Sequence, residues 1–311
     1  MAPVVKQVTD SVTFGEGPHW HSDEGVLYFV GIGAKVGDGV AAVHKYDPAT
    51  GKLATAKLEI SPHFILPIEG KKNHFLITQG RKVVEIEWFG DENTPKILRT
   101  VTEVDQDFPG NKLNDGKADP RGRLFTGTIS NYDGMNELVT KDGSIFRIDP
   151  SGSTTKCASG VICANGLCWD LKEKAFYYID SMTYVIQRFD YDVKTGDISN
   201  PRSVFGVKEN GLTGFIDGMT IDTDGNLWAA MFNGSCVLKI DPRTSSILER
   251  IPIPAKEVTS VTFGGPNLDI LYVTTGRMGY FSPAEPPPAG AVFAVTGTSA
   301  KGHPNVNVRL H

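Results

Sequence analysis

The fold of this chain is decided by the stretch FIDGMTID (residues 215–222), which is followed directly by TDGNLWAA (residues 223–230). The first part places an acidic residue, Asp217, beside a glycine and before a run of apolar residues. The second part is a turn that leads into another apolar run. This pattern is typical of two β-strands joined by a tight turn, because Asp and Asn bond their own backbone and Gly permits a positive φ.

The same layout occurs at three other places, in units that begin at Glu16, Asn114 and Asn165. The spacing is regular, since 51 residues separate Asn114 from Asn165 and 52 separate Asn165 from Asp217. Two further apolar units occupy residues 64–88 and 258–295. A repeat of about 50 residues is typical of propeller blades.

These units predict an all-β fold, namely a six-bladed β-propeller with four-stranded antiparallel blades. The composition agrees, because 34 Gly and 19 Pro among 311 residues favour tight turns over long helices. We expect residues 1–311 to form a single propeller domain.

Composition and charge also limit the partners. A net charge of −5 offers no basic face for nucleic acid or anionic lipid, and no apolar run reaches the roughly 18 residues of a membrane span. The N-terminus has no apolar signal core. We therefore expect a cytoplasmic protein, a monomer or weak dimer, whose partner is a small-molecule substrate and neither nucleic acid nor a membrane. The four cysteines show no C-x-x-C pair and are expected to be reduced and buried.

Several short patterns are not expected to carry function. The segment GIGAKVG (residues 31–37) has its third glycine one place late for a dinucleotide loop, and no helix follows it. The segment DTDGN (residues 222–226) lacks the Glu at position twelve of a calcium loop and is predicted to be a hairpin turn. The seven histidines lack metal-binding spacing, and His19, beside Trp20, is the one retained as a substrate-binding candidate.

The four corner residues Glu16, Asn114, Asn165 and Asp217 are expected to converge, because equivalent positions of propeller blades face one axis. Carboxylate and amide oxygens are hard ligands that suit Ca²⁺, Mg²⁺ or Mn²⁺. The alternative is that each polar residue only satisfies backbone groups at its corner. If these residues only satisfied backbone groups, we would expect one residue type at all four positions. The mixture of acids and amides instead indicates that the four residues have different roles.

Several long motifs, in order along essentially all 311 residues, resemble the regucalcin (senescence marker protein) and gluconolactonase family. They are GEGPHW (15–20), LNDGKADPRGR (113–123), ANGL (164–167), FYYIDS (176–181), DGM (217–219) and FGGPN (263–267). Insect-type members of this family, similar to luciferin-regenerating enzyme, are most alike around residues 260–269.

This resemblance implies a six-bladed propeller with one divalent cation (Ca²⁺, Zn²⁺, Mn²⁺ or Mg²⁺) held by Glu16, Asn165 and Asp217. It implies that Asn114 lies beside the cation and helps to place substrate, and that Asp217 is the general base. The substrates of the family are sugar lactones.

Three departures from the family lie at the rim of the site. Lys112 stands where relatives commonly have Arg, so the planar, bidentate guanidinium is lost. Gly31 replaces a usual Asp and opens an apparent insertion through Gly39, and Asn131-Tyr132 replace an acidic pair. The predicted metal-binding set is complete, whereas the sugar-recognising rim is altered.

The sequence thus favours a metal-dependent hydrolase of small cyclic esters, in which Asp217 is catalytic and Asn114, Lys112 and His19 contact substrate. One alternative is a protein that binds Ca²⁺ or a small ligand without significant turnover. Another is a luciferin-regenerating-type enzyme, or catalysis on a different group such as a nitrile, thiazoline or organophosphate.

Overall fold

The protein is described by a computed structural model that covers residues 2–33, 40–130, 140–279 and 283–311. These ranges fold into consecutive antiparallel β-sheets and one turn of 3-10 helix, Ser181–Thr183. The sheets are arranged as in a propeller, so the predicted all-β class is confirmed. No helix within these ranges is both long and apolar enough to cross a membrane.

Four sheets contain four strands each and follow the chain in simple order. Their strands are β2 (Gly15–His21), β3 (Val26–Gly31), β4 (Ala42–Asp47) and β5 (Lys52–Lys57); β6 (Ile65–Pro67), β7 (His74–Gln79), β8 (Lys82–Glu87) and β9 (Lys96–Glu103); β10 (Lys112–Ala118), β11 (Leu124–Ile129), β12 (Gly143–Ile148) and β13 (Thr154–Val161); β14 (Ala164–Asp170), β15 (Ala175–Asp180), β16 (Val185–Tyr191) and β17 (Ile198–Gly206).

The remaining strands form an eight-stranded sheet. They are β18 (Phe215–Ile221), β19 (Leu227–Phe232), β20 (Cys236–Asp241), β21 (Ser246–Pro252), β22 (Glu257–Gly264), β23 (Ile270–Gly276), β24 (Phe293–Thr296) and β1 (Val4–Gln7). A single residue pair, Phe232 with Glu257, joins the array β18–β21 to the array formed by β22, β23, β24 and β1. The first strand of the chain therefore pairs with the last, Val4 opposite Thr296.

The core lies between neighbouring sheets. Ile179 and Ile186 of one sheet pack against Ile216 and Leu238 of the next, and all four are fully buried. Because both faces of each sheet are covered in this way, the middle strands are apolar along nearly their whole length, as in β19. The apolar segments that predicted strands at residues 26–30, 124–128, 175–179 and 270–274 all lie inside observed strands.

Neighbouring sheets contact one another in a closed circle, chiefly through their first strands: β2 contacts β6 and β22, β18 contacts β14 and β22, and β10 contacts β14 and also β7, the second strand of the neighbouring sheet. At one end of this circle lies the C-terminal segment, residues 298–311. Val308 bridges Ile68, the Arg309 amide donates to the Gly122 carbonyl, and Gly302 bridges Asp222. Ile68, Gly122 and Asp222 each lie just after the end of a first strand, namely β6, β10 and β18. The C-terminal segment therefore connects the C-terminal ends of these first strands.

Other sequence expectations are also met. The segment at 222–226 is a hairpin turn, in which the Asp222 carboxylate accepts the amides of Asp224 and Asn226 at 3.0 and 2.8 Å. All four cysteines are free; Cys163, Cys168 and Cys236 are buried and Cys157 is half-buried. Residues 34–39 of the apparent insertion and residues 131–139, with Asn131 and Tyr132, lie outside the described ranges.

Candidate functional site

The four corner residues lie near the N-terminal ends of the first strands of four sheets. A β-bulge interrupts each strand at this point: between Glu16 and His19, Leu113 and Gly116, Ala164 and Leu167, and Ile216 and Met219. A bulge turns a side chain away from the regular alternation of a strand. The bulge therefore takes Asn114, Asn165 and Asp217 out of regular pairing at one end of the circle, and in β2 it begins directly after Glu16, which still pairs with Val30.

Glycine directly follows three of these residues, and at two of these glycines the first strands come very close together. A Cβ on Gly218 would lie 1.9 Å from Ser260 Oγ, and one on Gly166 would lie 2.6 Å from the Met219 nitrogen. No larger residue fits at either place without movement of a neighbouring strand. The polar-glycine pairs that defined the repeat are thus explained by strand packing around the axis.

Glu16 and Asp217 form a buried pair of carboxylates, each with 5% of its surface exposed. Burial, together with the charge of Asp115, raises the pKa of Glu16, although the Gly17 amide and the Ser260 hydroxyl bond to its carboxylate. Burial also raises the pKa of Asp217 well above its usual value, and the carboxylates of Glu16, Asp115 and Glu257 raise it further. Several buried negative charges close together are unfavourable unless a cation or a proton offsets them.

The two corner asparagines are held by hydrogen bonds. Asn114 Nδ2 donates to the Ala164 carbonyl at 2.7 Å and to Asn165 Oδ1 at 3.0 Å. Asn165 Nδ2 donates to Ser181 Oγ at 2.7 Å, and that hydroxyl donates to the Ile216 carbonyl at 2.6 Å. Since Ile216 precedes Asp217, these bonds connect both asparagines to the strand that carries the acid. Asn165 Oδ1 keeps one lone pair beyond the bond from Asn114.

Sequence reasoning missed three residues of this site. Asp115 is buried and lies near both Glu16 and Asp217, whose pKa values it raises. Lys117 offsets the charge of Asp115 and donates to the Met219 carbonyl at 2.9 Å. His63 lies 51 residues before Asn114 and bonds its Oδ1 through Nδ1 at 2.7 Å. The repeat interval could have located His63, but Phe64 stands after it where other units have glycine.

The remaining two predicted residues, Lys112 and His19, lie at different positions along their strands. Lys112 opens β10, two residues before Asn114, and its charge acts on His63 and Cys163, so it lies at the same end of the circle as the corner residues. His19 is buried further along β2, and its Nε2 lies 3.1 Å from Asn307 Oδ1 of the C-terminal segment. Burial lowers the pKa of His19 to about 3, so its imidazole is neutral.

The donor set suits a hard divalent cation. Within the described ranges, no three or more His, Cys, Asp and Glu side chains cluster as a metal site. The ligands available here are instead two buried carboxylates and one oriented amide oxygen, from Glu16, Asp217 and Asn165. Oxygen ligands of this kind are preferred by Ca²⁺, Mg²⁺ and Mn²⁺, which complete their coordination with water. A cation at this point would also offset the charge of the buried acids.

The protein is thus propeller-like, with buried acids and amides brought together among the first strands of its sheets. The chain belongs to the SMP-30/Gluconolactonase/LRE-like region family, whose model matches residues 14–277. The resemblance stated from the motifs is thereby confirmed.

Individual relatives agree with this assignment. Human regucalcin is 36% identical over 291 residues, which cover 93% of this chain and 92% of that protein. The structure of a luciferin-regenerating enzyme is 35% identical and superposes with a TM-score of 0.91 over 99% of this chain and 100% of the other. A calcium-binding regucalcin from Agrobacterium tumefaciens has the same fold at 22% identity, with a TM-score of 0.82 over 99% of this chain and 98% of the other.

Proposed function

We propose that this protein is a divalent-cation-dependent hydrolase of small cyclic esters, similar to a gluconolactonase. The observation that carries the proposal is the buried carboxylate pair Glu16 and Asp217 beside the oriented Asn165 amide. Family membership agrees with an activity of this class. In this proposal residues 1–311 form a single domain of six blades, and the count of six is supported by the single residue pair that joins the two halves of the eight-stranded sheet.

Each residue has a defined part in the reaction. Glu16, Asn165 and Asp217 hold the cation, which when bound supplies Lewis-acid polarisation of an ester carbonyl. Asp217 accepts the proton of the attacking water as general base. Asn114 and Lys112 orient the substrate, whereas His19, predicted as a further contact, is buried beside Asn307 of the C-terminal segment and is given no part in the reaction. Lys112 supplies a positive charge at the mouth.

The cysteines and the net charge support a cellular setting and a class of partner. Four free thiols suit the reducing cytoplasm. The net charge of −5 supports a small-molecule partner over nucleic acid or an anionic membrane. We propose a monomer or weak dimer.

The test is hydrolysis of glucono-δ-lactone, with Ca²⁺, Mn²⁺ or Zn²⁺ added after removal of bound metal with EDTA. We expect cation-dependent turnover by the wild type and a loss of at least about 100-fold in Asp217→Ala, the range for a general base. The control is Asp224→Ala, an exposed acid in the turn that follows β18. Equal rates for wild type and Asp217→Ala would rule the assignment out.

A calcium-binding protein without significant turnover is the second candidate. Both N–H groups of Asn114 already donate to protein acceptors and its oxygen accepts from His63, which leaves only one lone pair of that oxygen for a substrate. Calorimetric Ca²⁺ binding, together with no hydrolysis across a panel of lactones and esters, would favour it.

A luciferin-regenerating-type enzyme acting on a non-sugar substrate is the third candidate, and aromatic side chains near the site support it. Phe215 lies two residues before Asp217 and stacks on Phe232 at 4.9 Å, and Phe14 contacts Phe232 at 6.0 Å. Phe14 and Phe232 are buried, so of these three rings only the partly exposed Phe215 is accessible, and a phenyl ring suits a flat, apolar substrate better than a polyhydroxylated sugar. Turnover of aryl lactones and not of glucono-δ-lactone would favour this candidate.

A further inference from the structure

His63 lies where the second sheet meets the ring of corner residues. It precedes β6 and is buried, and it stands 51 residues before Asn114, which itself stands 51 residues before Asn165. The second sheet thus supplies a side chain at the same repeat interval as its neighbours. Its backbone is fixed as well, because the His63 amide donates to Thr78 Oγ1 at 2.8 Å.

The hydrogen bonds that begin at His63 have only one possible direction. Asn114 Nδ2 faces the Ala164 carbonyl, which can only accept, so the amide nitrogen must lie on that side. Asn114 Oδ1 therefore faces His63, and it can only accept. Hence Nδ1 of His63 carries the proton and Nε2 does not.

The same direction continues through the next two residues. The second Asn114 N–H donates to Asn165 Oδ1, Asn165 donates to Ser181 Oγ, and the Ser181 hydroxyl donates to the Ile216 carbonyl. With a carbonyl acceptor at each end, neither amide can rotate by 180° without losing buried hydrogen bonds. Each bond lost in this way costs about 1–3 kcal/mol when the group is left buried without a partner.

We propose that His63 is a positioning residue for the cation site: its Nδ1–H holds Asn114, and through Asn114 it keeps the Asn165 amide oxygen directed to the cation. This inference rests on the proposed role of Asn165 as a ligand. Residues that orient a metal ligand commonly affect metal affinity by about 10- to 100-fold. His63 acts here through two neighbours and touches neither cation nor substrate in this role.

The surroundings of His63 suit a neutral donor. Burial, together with the positive charge of Lys112, lowers the pKa of His63 to about 3. The ring thus stays neutral across the physiological range and adds no positive charge beside the cation. A neutral imidazole with its proton on Nδ1 offers one fixed donor to Asn114.

Two substitutions separate the hydrogen bond from the volume of the side chain. His63→Asn places an amide donor where Nδ1 lies, whereas His63→Leu places a methyl group there. We would measure Ca²⁺ and Mn²⁺ binding by calorimetry after treatment with EDTA, with thermal unfolding of each metal-free variant as a check of folding. We expect His63→Leu to weaken binding by about 10-fold or more and His63→Asn to remain close to the wild type.

Other outcomes are equally informative. Unchanged affinity in His63→Leu, or equal weakening in both variants, would overturn the inference. If His63→Leu is insoluble, Ser181→Ala removes the two hydrogen bonds at the other end of the same series, Asn165 to Ser181 and Ser181 to Ile216, and unchanged affinity in that variant counts against the inference. Lactone hydrolysis is assayed separately: a wild type that binds cations without turnover refutes the hydrolase and not the role of His63. A wild type that binds no cation contradicts both.

Discussion

Asn165 Nδ2 donates to Ser181 Oγ at 2.7 Å. This bond joins β14, the first strand of its sheet, to the short 3-10 helix that follows β15, the second strand of the same sheet. Both groups are buried, and the Ser181 hydroxyl donates onward to the carbonyl of Ile216, the residue before Asp217. One serine therefore connects an amide ligand of the proposed site to the strand of its acid.

We expect Ser181→Ala to lower the free energy of unfolding by about 1–3 kcal/mol, because an amide donor and a carbonyl acceptor are left buried without a partner. Urea denaturation of the metal-free protein measures this change. Ser199→Ala, an exposed serine of β17, is the matched control and should change stability little. Equal losses in the two variants would contradict the account of this bond.

The contribution of the acid pair to the stability of the metal-free protein should fall as pH rises. Glu16 and Asp217 have unperturbed pKa values of 4.5 and 3.8, and both are raised in the folded protein. Above the unfolded values and below the raised ones, the folded protein binds more protons than the unfolded chain, so stability decreases with pH. We expect this decrease between about pH 5 and about pH 8, and a smaller decrease for Asp217→Asn.

Thermal unfolding in EDTA across this pH range measures the stability of the wild type and of Asp217→Asn. The contributions of the buried histidines cancel in the difference between the two stabilities. Added Ca²⁺ should stabilise the wild type most at the upper end of the range, because cation binding and protonation compete. Parallel pH profiles for wild type and Asp217→Asn would show that the acid pair does not carry this effect.

Lys112→Arg should improve the use of sugar lactones. A guanidinium forms two parallel hydrogen bonds to substrate oxygens, whereas an ammonium acts as a point charge. One additional charge-assisted bond of about 1.4 kcal/mol corresponds to an approximately 10-fold lower KM. Steady-state kinetics on glucono-δ-lactone measure the change, with Lys82→Arg, an exposed lysine at the start of β8, as control. A KM that does not fall would indicate that Lys112 does not meet these oxygens.

The contact between His19 and Asn307 distinguishes a structural from a substrate-binding role for His19. Asn307→Ala leaves the buried imidazole without its partner, and we expect a loss of about 1 kcal/mol in the free energy of unfolding. Cation affinity should not change, since Asn307 belongs to the segment at the opposite end of the circle. Asn93→Ala, an exposed turn residue, serves as control. A large fall in cation affinity would place His19 in the site.

The all-β fold was predictable because apolar strand segments recur along the sequence at intervals of about 50 residues. The outermost strands were not, since β9 has mostly exposed residues and no apolar pattern to mark it. The pairing of β1 with β24 joins residues nearly 300 positions apart, which no local pattern reveals. The C-terminal segment is also held by contacts distant in sequence.

The candidate site was predictable to the same extent. Glu16, Asn114, Asn165 and Asp217 were found because a glycine follows three of them and a repeated interval relates them. His63 escaped because Phe64 fills the glycine position, so only the interval marks it. The role of Ser181 could not be predicted from the neighbouring sequence either, because it depends on an amide group and a carbonyl group from two other strands.

We propose that Glu16, Asn165 and Asp217 together hold a divalent cation. The most direct measurement is anomalous diffraction from crystals of the wild type soaked with Mn²⁺. The account predicts an anomalous peak within about 2.0–2.6 Å of an oxygen of each of these three side chains. A peak elsewhere on the protein, with none among these three, would contradict it.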